Sequence, residues 1–229
     1  MTNFKACLFD LDGVIVDTAK YHFKAWKMLA NSLGIDFTET ENEKLKGISR
    51  MESLQLILDW GGITKTEEEK LALASKKNQW YVDLIANMNE NEILPGASEL
   101  LQELRAANIK IALGSASKNS ETILTKINLL SAFDAIIDGN KVSKSKPNPQ
   151  VFLMGAEVLG VQPSDCIVFE DAEAGVQAAI NAGMKVVGIG ESHHLFKADI
   201  VVAGLNQLNL KSTILRKFSK LTVAKFLKQ

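Results

Sequence analysis

The residues able to do chemistry in this chain stand at the ends of short apolar runs. The first such stretch is Lys5-Ala6-Cys7-Leu8-Phe9-Asp10-Leu11-Asp12-Gly13-Val14. Its apolar part, residues 6–9, reads as a strand buried on both faces, as in a parallel sheet. Asp10 and Asp12 are two apart, so in extended backbone they point to the same side. Gly13 lets the chain turn closely around whatever they hold. Adjacent carboxylates repel and are costly to desolvate unless a cation or a shared proton compensates. The pair alone leaves two readings open: a Mg²⁺ site with one carboxylate free to attack, or an acid-rich turn after a strand.

Three further core segments run into polar residues. Residues 109–113 lead into Gly114-Ser115-Ala116-Ser117-Lys118-Asn119. Small residues at a helix start expose backbone N–H groups, and Ser115 adds a hydroxyl, which suits an oxyanion. Lys144-Ser145-Lys146-Pro147 reads as a loop whose Lys146 can neutralise a phosphoryl group as a point charge. Residues 166–169 end in Glu170-Asp171, two acids that suit a hard cation. Each feature has a bland alternative as a helix cap or a solvated side chain. Acid pair, hydroxyl loop, lysine and second acid pair each following a core element in order favours chemistry.

The elements that must position these residues alternate. Helical periodicity covers 97–107, 119–129, 149–159 and 172–182, and apolar strand-like runs cover 109–113, 133–137, 166–169, 185–189 and 199–203. That alternation predicts an α/β fold, a Rossmann-like parallel sheet flanked by helices, to which residues 6–9 also belong. No strand-like run interrupts 18–92. A helix stopping at Gly34, a second from about Arg50 to Gly61-Gly62, and a third from the Thr66/Glu69 capping box to about Met88 predict an all-helical insertion. The expected organisation is a discontinuous core, 1–17 plus 93–229, with a cap at 18–92.

Composition narrows the function classes. The chain has 229 residues, 46% hydrophobic, with a formal net charge of -1, so neither a disordered chain nor a polyanion or membrane-surface binder is expected. Cys7 and Cys166 fall in buried strands and read as free thiols of a reducing compartment. No apolar run reaches the length of a membrane span and the N-terminus lacks a signal-peptide pattern, which gives a cytoplasmic protein as the expectation. Basic residues follow Leu208 without an acid, and an apolar stripe among them predicts a last helix docked on the sheet with a solvated basic face. His193 and His194 lie in a polar loop and read as solvated.

Asp10-Leu11-Asp12-Gly13-Val14, Ser115, Lys146 and Glu170-Asp171 resemble the four motifs of the haloacid-dehalogenase-like (HAD) phosphotransferases, over nearly the whole chain. Within the insertion, Tyr21-His22-Phe23 with Trp26, and Leu45-Lys46-Gly47-Ile48-Ser49-Arg50 with Ser53, are similar to the branch that moves a phosphoryl group between C1 and C6 of glucose. The resemblance implies a mutase working through an aspartyl phosphate on Asp10 and a β-glucose 1,6-bisphosphate. It makes Asp12 the general acid and base, and Asp10, the Asp12 carbonyl, Glu170 and Asp171 the Mg²⁺ ligands. It gives the transferring phosphoryl to Ser115, the Ala116 amide and Lys146. Arg50 with Ser117 and Asn119 would grip the distal phosphate. His22, Trp26, Lys46, Gly47, Ser53, Lys77 and Lys118 complete the implied substrate set, and Thr18 the hinge. By residue type alone, Tyr21 and Trp26 read as cap packing. Ala172 stands where the mutases commonly carry a small hydroxyl. The implied partners are small sugar phosphates, with no nucleic acid or membrane, for a monomer. A sugar-phosphate phosphatase and a non-catalytic phosphosugar-binding regulator are the alternatives.

Overall fold

The structure, a computed structural model, describes residues 4–210. Six parallel strands, β1 (Ala6–Phe9), β2 (Lys110–Gly114), β3 (Ala135–Ile137), β4 (Cys166–Glu170), β5 (Lys185–Ile189) and β6 (Ile200–Val202), form one sheet in the order β3-β2-β1-β4-β5-β6. The order reverses at β1, and open α/β sheets place their ligands outside the carboxyl ends of the strands at such a switch point. Phe9 is in register with Leu113 on one side and Phe169 on the other, so Asp10, Gly114 and Glu170 arrive at one level.

Residue parity sorts the two faces. Cys7, Phe9, Ile111, Leu113, Ile167 and Phe169 face a core built with α5 (Ala97–Ala106) and α6 (Ser120–Lys126), and Phe9 stacks on Phe169 at 4.5 Å. Ala6, Leu8, Ala112, Cys166 and Val168 face α7 (Gln150–Leu159) and α8 (Glu173–Asn181). The runs are apolar on both faces because both are covered.

Four helices intervene after β1: α1 (Ala19–Ser32), α2 (Glu39–Glu43), α3 (Arg50–Trp60) and α4 (Glu67–Leu84). Trp26, Leu29, Phe37, Leu54, Ile57 and Leu58 give them a core of their own. The chain leaves and re-enters the sheet region side by side: Asp17 N–H donates to the Glu92 carbonyl at 3.0 Å and Leu94 N–H to the Ile15 carbonyl at 3.0 Å. The Tyr21 hydroxyl also donates to Glu92 at 2.8 Å.

Element ends differ from the sequence reading in small, explicable ways. The last inserted helix stops at Leu84, not near Met88, because the following turn buries Ile85 and Met88 in the sheet-side core. α6 ends at Lys126 and Asn128 takes a left-handed φ of 55°. The short α2 was not anticipated, although Thr38 and Glu41 form the same capping box that marks α4. The docked basic helix expected near the C-terminus lies outside the described residues. No described helix is long and apolar enough to cross a membrane.

Candidate active site

Asp10 leaves β1 on the face shared with α7, and Glu170 leaves β4 on that same face, by the parity of their strands. Lys146, just before α7, rises between them. Its ammonium lies 2.6 Å from Asp10 Oδ1 and 2.5 Å from Glu170 Oε1, and all three side chains are buried. Burial alone pulls such an ammonium down, but Asp10 and then Glu170 hold Lys146 above its ordinary value.

Asp12 stands apart from this trio. The Thr18 hydroxyl donates to its Oδ1, and His22 Nε2 approaches the same oxygen at 3.8 Å. Burial, and then the Asp10 carboxylate, push its carboxyl up to about 6. About a quarter of the side chain, 27%, still faces the cavity. A group with that pKa is available as both acid and base near neutrality. Thr18 itself is fully buried behind it.

On the β2 side, small residues create the cradle. Ser115 N–H donates to the Ile137 carbonyl at 3.0 Å, and the Ser115 hydroxyl accepts from Ser117 N–H at 3.1 Å. Asn119 N–H in turn donates to Ser117 Oγ at 3.2 Å. A side chain at Gly139 would meet the Ala116 carbonyl at 2.4 Å, so glycine there lets the two loops touch.

Glycines also make room for the acids. A methyl group at Gly13, whose φ is +82°, would meet Asp171 Oδ2 at 2.2 Å. One at Gly175, inside α8, would sit 1.8 Å from Glu170 Oε1. Alanine at an exposed helix site stabilises by roughly 1 kcal/mol over glycine. Displacing a buried ion-pair partner costs about 3–5 kcal/mol. Gly175→Ala is therefore expected to lower the melting temperature and Mg²⁺ affinity together; an increase in thermal stability in calorimetry would contradict this placement of Glu170.

A cavity of about 610 Å³ joins the sheet ends to the inserted helices. Lining it from below are Asp10, Asp12, Ser115, Ala116, Ser117, Lys118, Asn119, Lys146 and Asp171. From above come His22, Trp26, Lys46, Gly47, Arg50, Ser53 and Lys77. Of the residues to which the resemblance gives a site role, only Thr18 and Glu170 fall outside the lining, each buried directly behind a residue that it holds. Trp26 both packs and lines: it is 3% exposed, with the Lys77 ammonium 4.4 Å from its ring centroid. Ala172, the departure from the mutase pattern, is buried, and its N–H donates to Glu170 Oε2 at 2.9 Å.

Two residues escaped the sequence reading. Asn78 Oδ1 accepts from Asn119 Nδ2 at 3.0 Å, joining α4 to the β2 loop. Tyr81 is fully buried beside His22, with ring centroids at 4.1 Å, and its hydroxyl has no hydrogen-bond partner among the described residues. Tyr81 follows Lys77 by four residues on one helical face, a legible signal; Asn78 carried none. His193 and His194 are exposed and lie with Glu191 away from the cavity, as the sole described trio of possible ligands within 4.8 Å of one another.

The carboxylates fit a hard divalent cation by their chemistry. Glu170 is pushed up to about 7 by burial, and Asp171 well above the carboxylate range by burial and then by Glu170 and Asp10. Such crowding is relieved by positive charge, and oxygen donors with room for water suit Mg²⁺. Glu170 already gives both oxygens to Lys146 and Ala172, so a ligand role for it requires a bridging water or an exchange of partners. Carboxyls raised to about 6 and about 7 bind protons more tightly in the folded chain than in the unfolded one. Their contribution to stability therefore declines as pH rises through that range. Two groups act oppositely: the penalty at His22, held well below its ordinary 6.5, lifts as pH rises to that value, and that at Lys77, lowered to about 7, lifts between there and its ordinary 10.5; the three raised acids outweigh the single histidine below neutrality. In chelator, Tm is expected to fall between about pH 5 and 7, less steeply in Glu170→Gln, with Mg²⁺ restoring it at neutral pH. An unchanged slope in the variant would count against the crowding.

A profile of haloacid dehalogenase-like hydrolases matches residues 4–183. The β-phosphoglucomutase of Bacillus subtilis is 47% identical over 209 residues, covering 90% of this chain and 92% of that one. A phosphorylated-carbohydrate phosphatase of Thermotoga maritima is 31% identical, covering 82% and 86%. The crystal structure of a β-phosphoglucomutase from Clostridium difficile superposes with a TM-score of 0.93 at 46% identity, over 96% of this chain and 99% of that one.

Proposed function

The chain belongs to the haloacid dehalogenase-like hydrolase family, and from that premise we propose how its cavity works. The protein is a phosphoglucomutase-type enzyme, interconverting β-D-glucose 1-phosphate and D-glucose 6-phosphate through β-glucose 1,6-bisphosphate. Residues 18–92 act as a cap over the α/β core. Asp10 is the nucleophile: its carboxylate attacks phosphorus in line, and the bond to the sugar oxygen breaks. The Ser115 hydroxyl, the Ala116 N–H and Lys146 receive the phosphoryl oxygens, neutralising charge at a site sheltered from water. Asp12 gives its proton to the departing sugar oxygen and takes one back from the hydroxyl that attacks in the return step. Thr18 orients it. Asp10, the Asp12 carbonyl, Glu170 and Asp171 are the residues that would hold Mg²⁺, which when bound neutralises the transferring phosphoryl and the crowded acids.

One observation favours a mutase over a simple phosphatase. The cavity carries the Arg50 guanidinium among the cap residues, with Ser117 and Asn119 of the core lining the same space. That arrangement suits a phosphate at each end of the sugar. Free Cys7 and Cys166 agree with a cytoplasmic location, and we read the enzyme as a monomer acting on sugar phosphates without nucleic-acid or membrane partners. A coupled assay for glucose 6-phosphate, run beside phosphate release from the same β-glucose 1-phosphate, tests the reading. Glucose 6-phosphate is expected to form faster; faster phosphate release, as a phosphatase would give, overturns it.

A further inference from the structure

Five lysines line the cavity, and their surroundings divide them. Lys146 is paired with Asp10 and Glu170, and Lys46 with Glu43 at 2.8 Å and, more loosely, Asp171 at 3.8 Å. Lys118 and Lys144 are exposed. Lys77 alone is both buried, 2% exposed, and without an ion pair among the described residues. Its Nζ lies 3.0 Å from His22 Nδ1, 4.8 Å from the Tyr81 ring centroid and 4.4 Å from the Trp26 ring centroid.

The groups around it decide its state. Burial, and then Arg50 from α3, push the Lys77 ammonium down to about 7, with Asp12 from the core pulling weakly the other way. His22 of α1 presents its Nδ1 to this amine. Tyr81, pushed up by burial, is a neutral phenol. A desolvated, unpaired lysine is the usual source of a nucleophilic amine at neutral pH. Here the amine touches an imidazole nitrogen able to carry a proton, in a cavity shared with the Arg50 guanidinium, which forms no ion pair among the described residues.

We propose that Lys77 is a site of reversible imine formation with phosphorylated aldehydes that enter the cavity. The class includes open-chain aldose phosphates and aromatic phosphoaldehydes. The amine attacks the carbonyl carbon, a proton passes by way of His22 to the carbonyl oxygen, and loss of water from the carbinolamine leaves the imine. Hydrolysis reverses each step, and nothing is oxidised or reduced. The placing of the aldehyde's phosphate on Arg50, Ser117 and Asn119 rests on the reading of the distal site above. While the imine stands, the cap face of the cavity is occupied and turnover stops.

Pyridoxal 5′-phosphate is the probe, with borohydride reduction to fix the adduct and peptide mass mapping to locate it. The reduced adduct is expected on Lys77 ahead of Lys118 and Lys144, to be absent from that peptide in Lys77→Arg, and to be suppressed by inorganic phosphate. Anchoring by phosphate should make labelling by pyridoxal 5′-phosphate at least about tenfold faster than by pyridoxal. Label confined to the exposed lysines, or equal incorporation into Lys77→Arg, overturns the reactive amine. Equal rates with pyridoxal, or no protection by phosphate, overturn the phosphoaldehyde class. None of these readouts depends on mutase turnover, so a failure of the mutase reading, seen in the coupled assay on unlabelled enzyme, is separately visible.

Discussion

Asp10→Asn is expected to remove turnover, by about four orders of magnitude or more, while leaving the chain folded. An amide oxygen cannot attack phosphorus as a carboxylate does, and no neighbour can replace it. Glu170 is turned onto Lys146 and Ala172, and Asp12 onto Thr18. Folding survives for an electrostatic reason. Breaking a buried ion pair by removing one partner costs about 3–5 kcal/mol when the other charge is stranded. Lys146 is not stranded, because Glu170 remains at 2.5 Å. Loss of one negative charge also relieves the crowding that raises Asp12, Glu170 and Asp171. Initial rates, a thermal melt and mass mapping of the phosphoenzyme formed from labelled bisphosphate test this together. Label on any residue other than Asp10 in the wild type would sink the assignment.

Much of this site was legible in the chain because its chemistry sits where strands stop. A buried strand has a strict period, so Asp10 and Glu170 could be placed at strand ends from apolar runs alone. The loop from Ser115 to Asn119 is likewise tied to a strand end at Gly114. Spatial pairings were a different matter. That Lys146 would bridge Asp10 and Glu170 depends on the strand order, which puts β4 beside β1 although more than 150 residues separate them. Asn78 shows the limit: a polar residue on a helix has many uses, and only the packing of α4 over the β2 loop gives it Asn119 as a partner. The capping box of α2 was written in Thr38 and Glu41, but five residues are too few to display a helical period. Tyr81 could have been found from Lys77, four residues before it; that its hydroxyl has no hydrogen-bond partner among the described residues could not.

Arg50→Ala is expected to split two activities that a phosphatase would lose together. Arg50 opens α3 inside the Ser49–Glu52 capping box, at the helix end where the dipole disfavours a cation. It is half-buried, and burial draws its guanidinium below its ordinary value. It makes no ion pair among the described residues. A cation so placed is stabilised by an incoming anion, and its planar fork suits two phosphate oxygens. Ser117 and Asn119 line the same cavity from the core, so a phosphate held between them would draw cap and core together and exclude water. Truncating one partner of a desolvated charge pair costs about 2–5 kcal/mol, or roughly 30-fold to several thousand-fold in rate. Mutase turnover should fall by that factor. Hydrolysis of a small phosphate ester with no distal phosphate should change far less, because Asp10, Ser115 and Lys146 are untouched. The measurement is both rates on wild type and variant. A parallel fall would mean that Arg50 serves the fold or the reacting phosphoryl itself, and the second anion site on which the mutase reading depends would have to be given up.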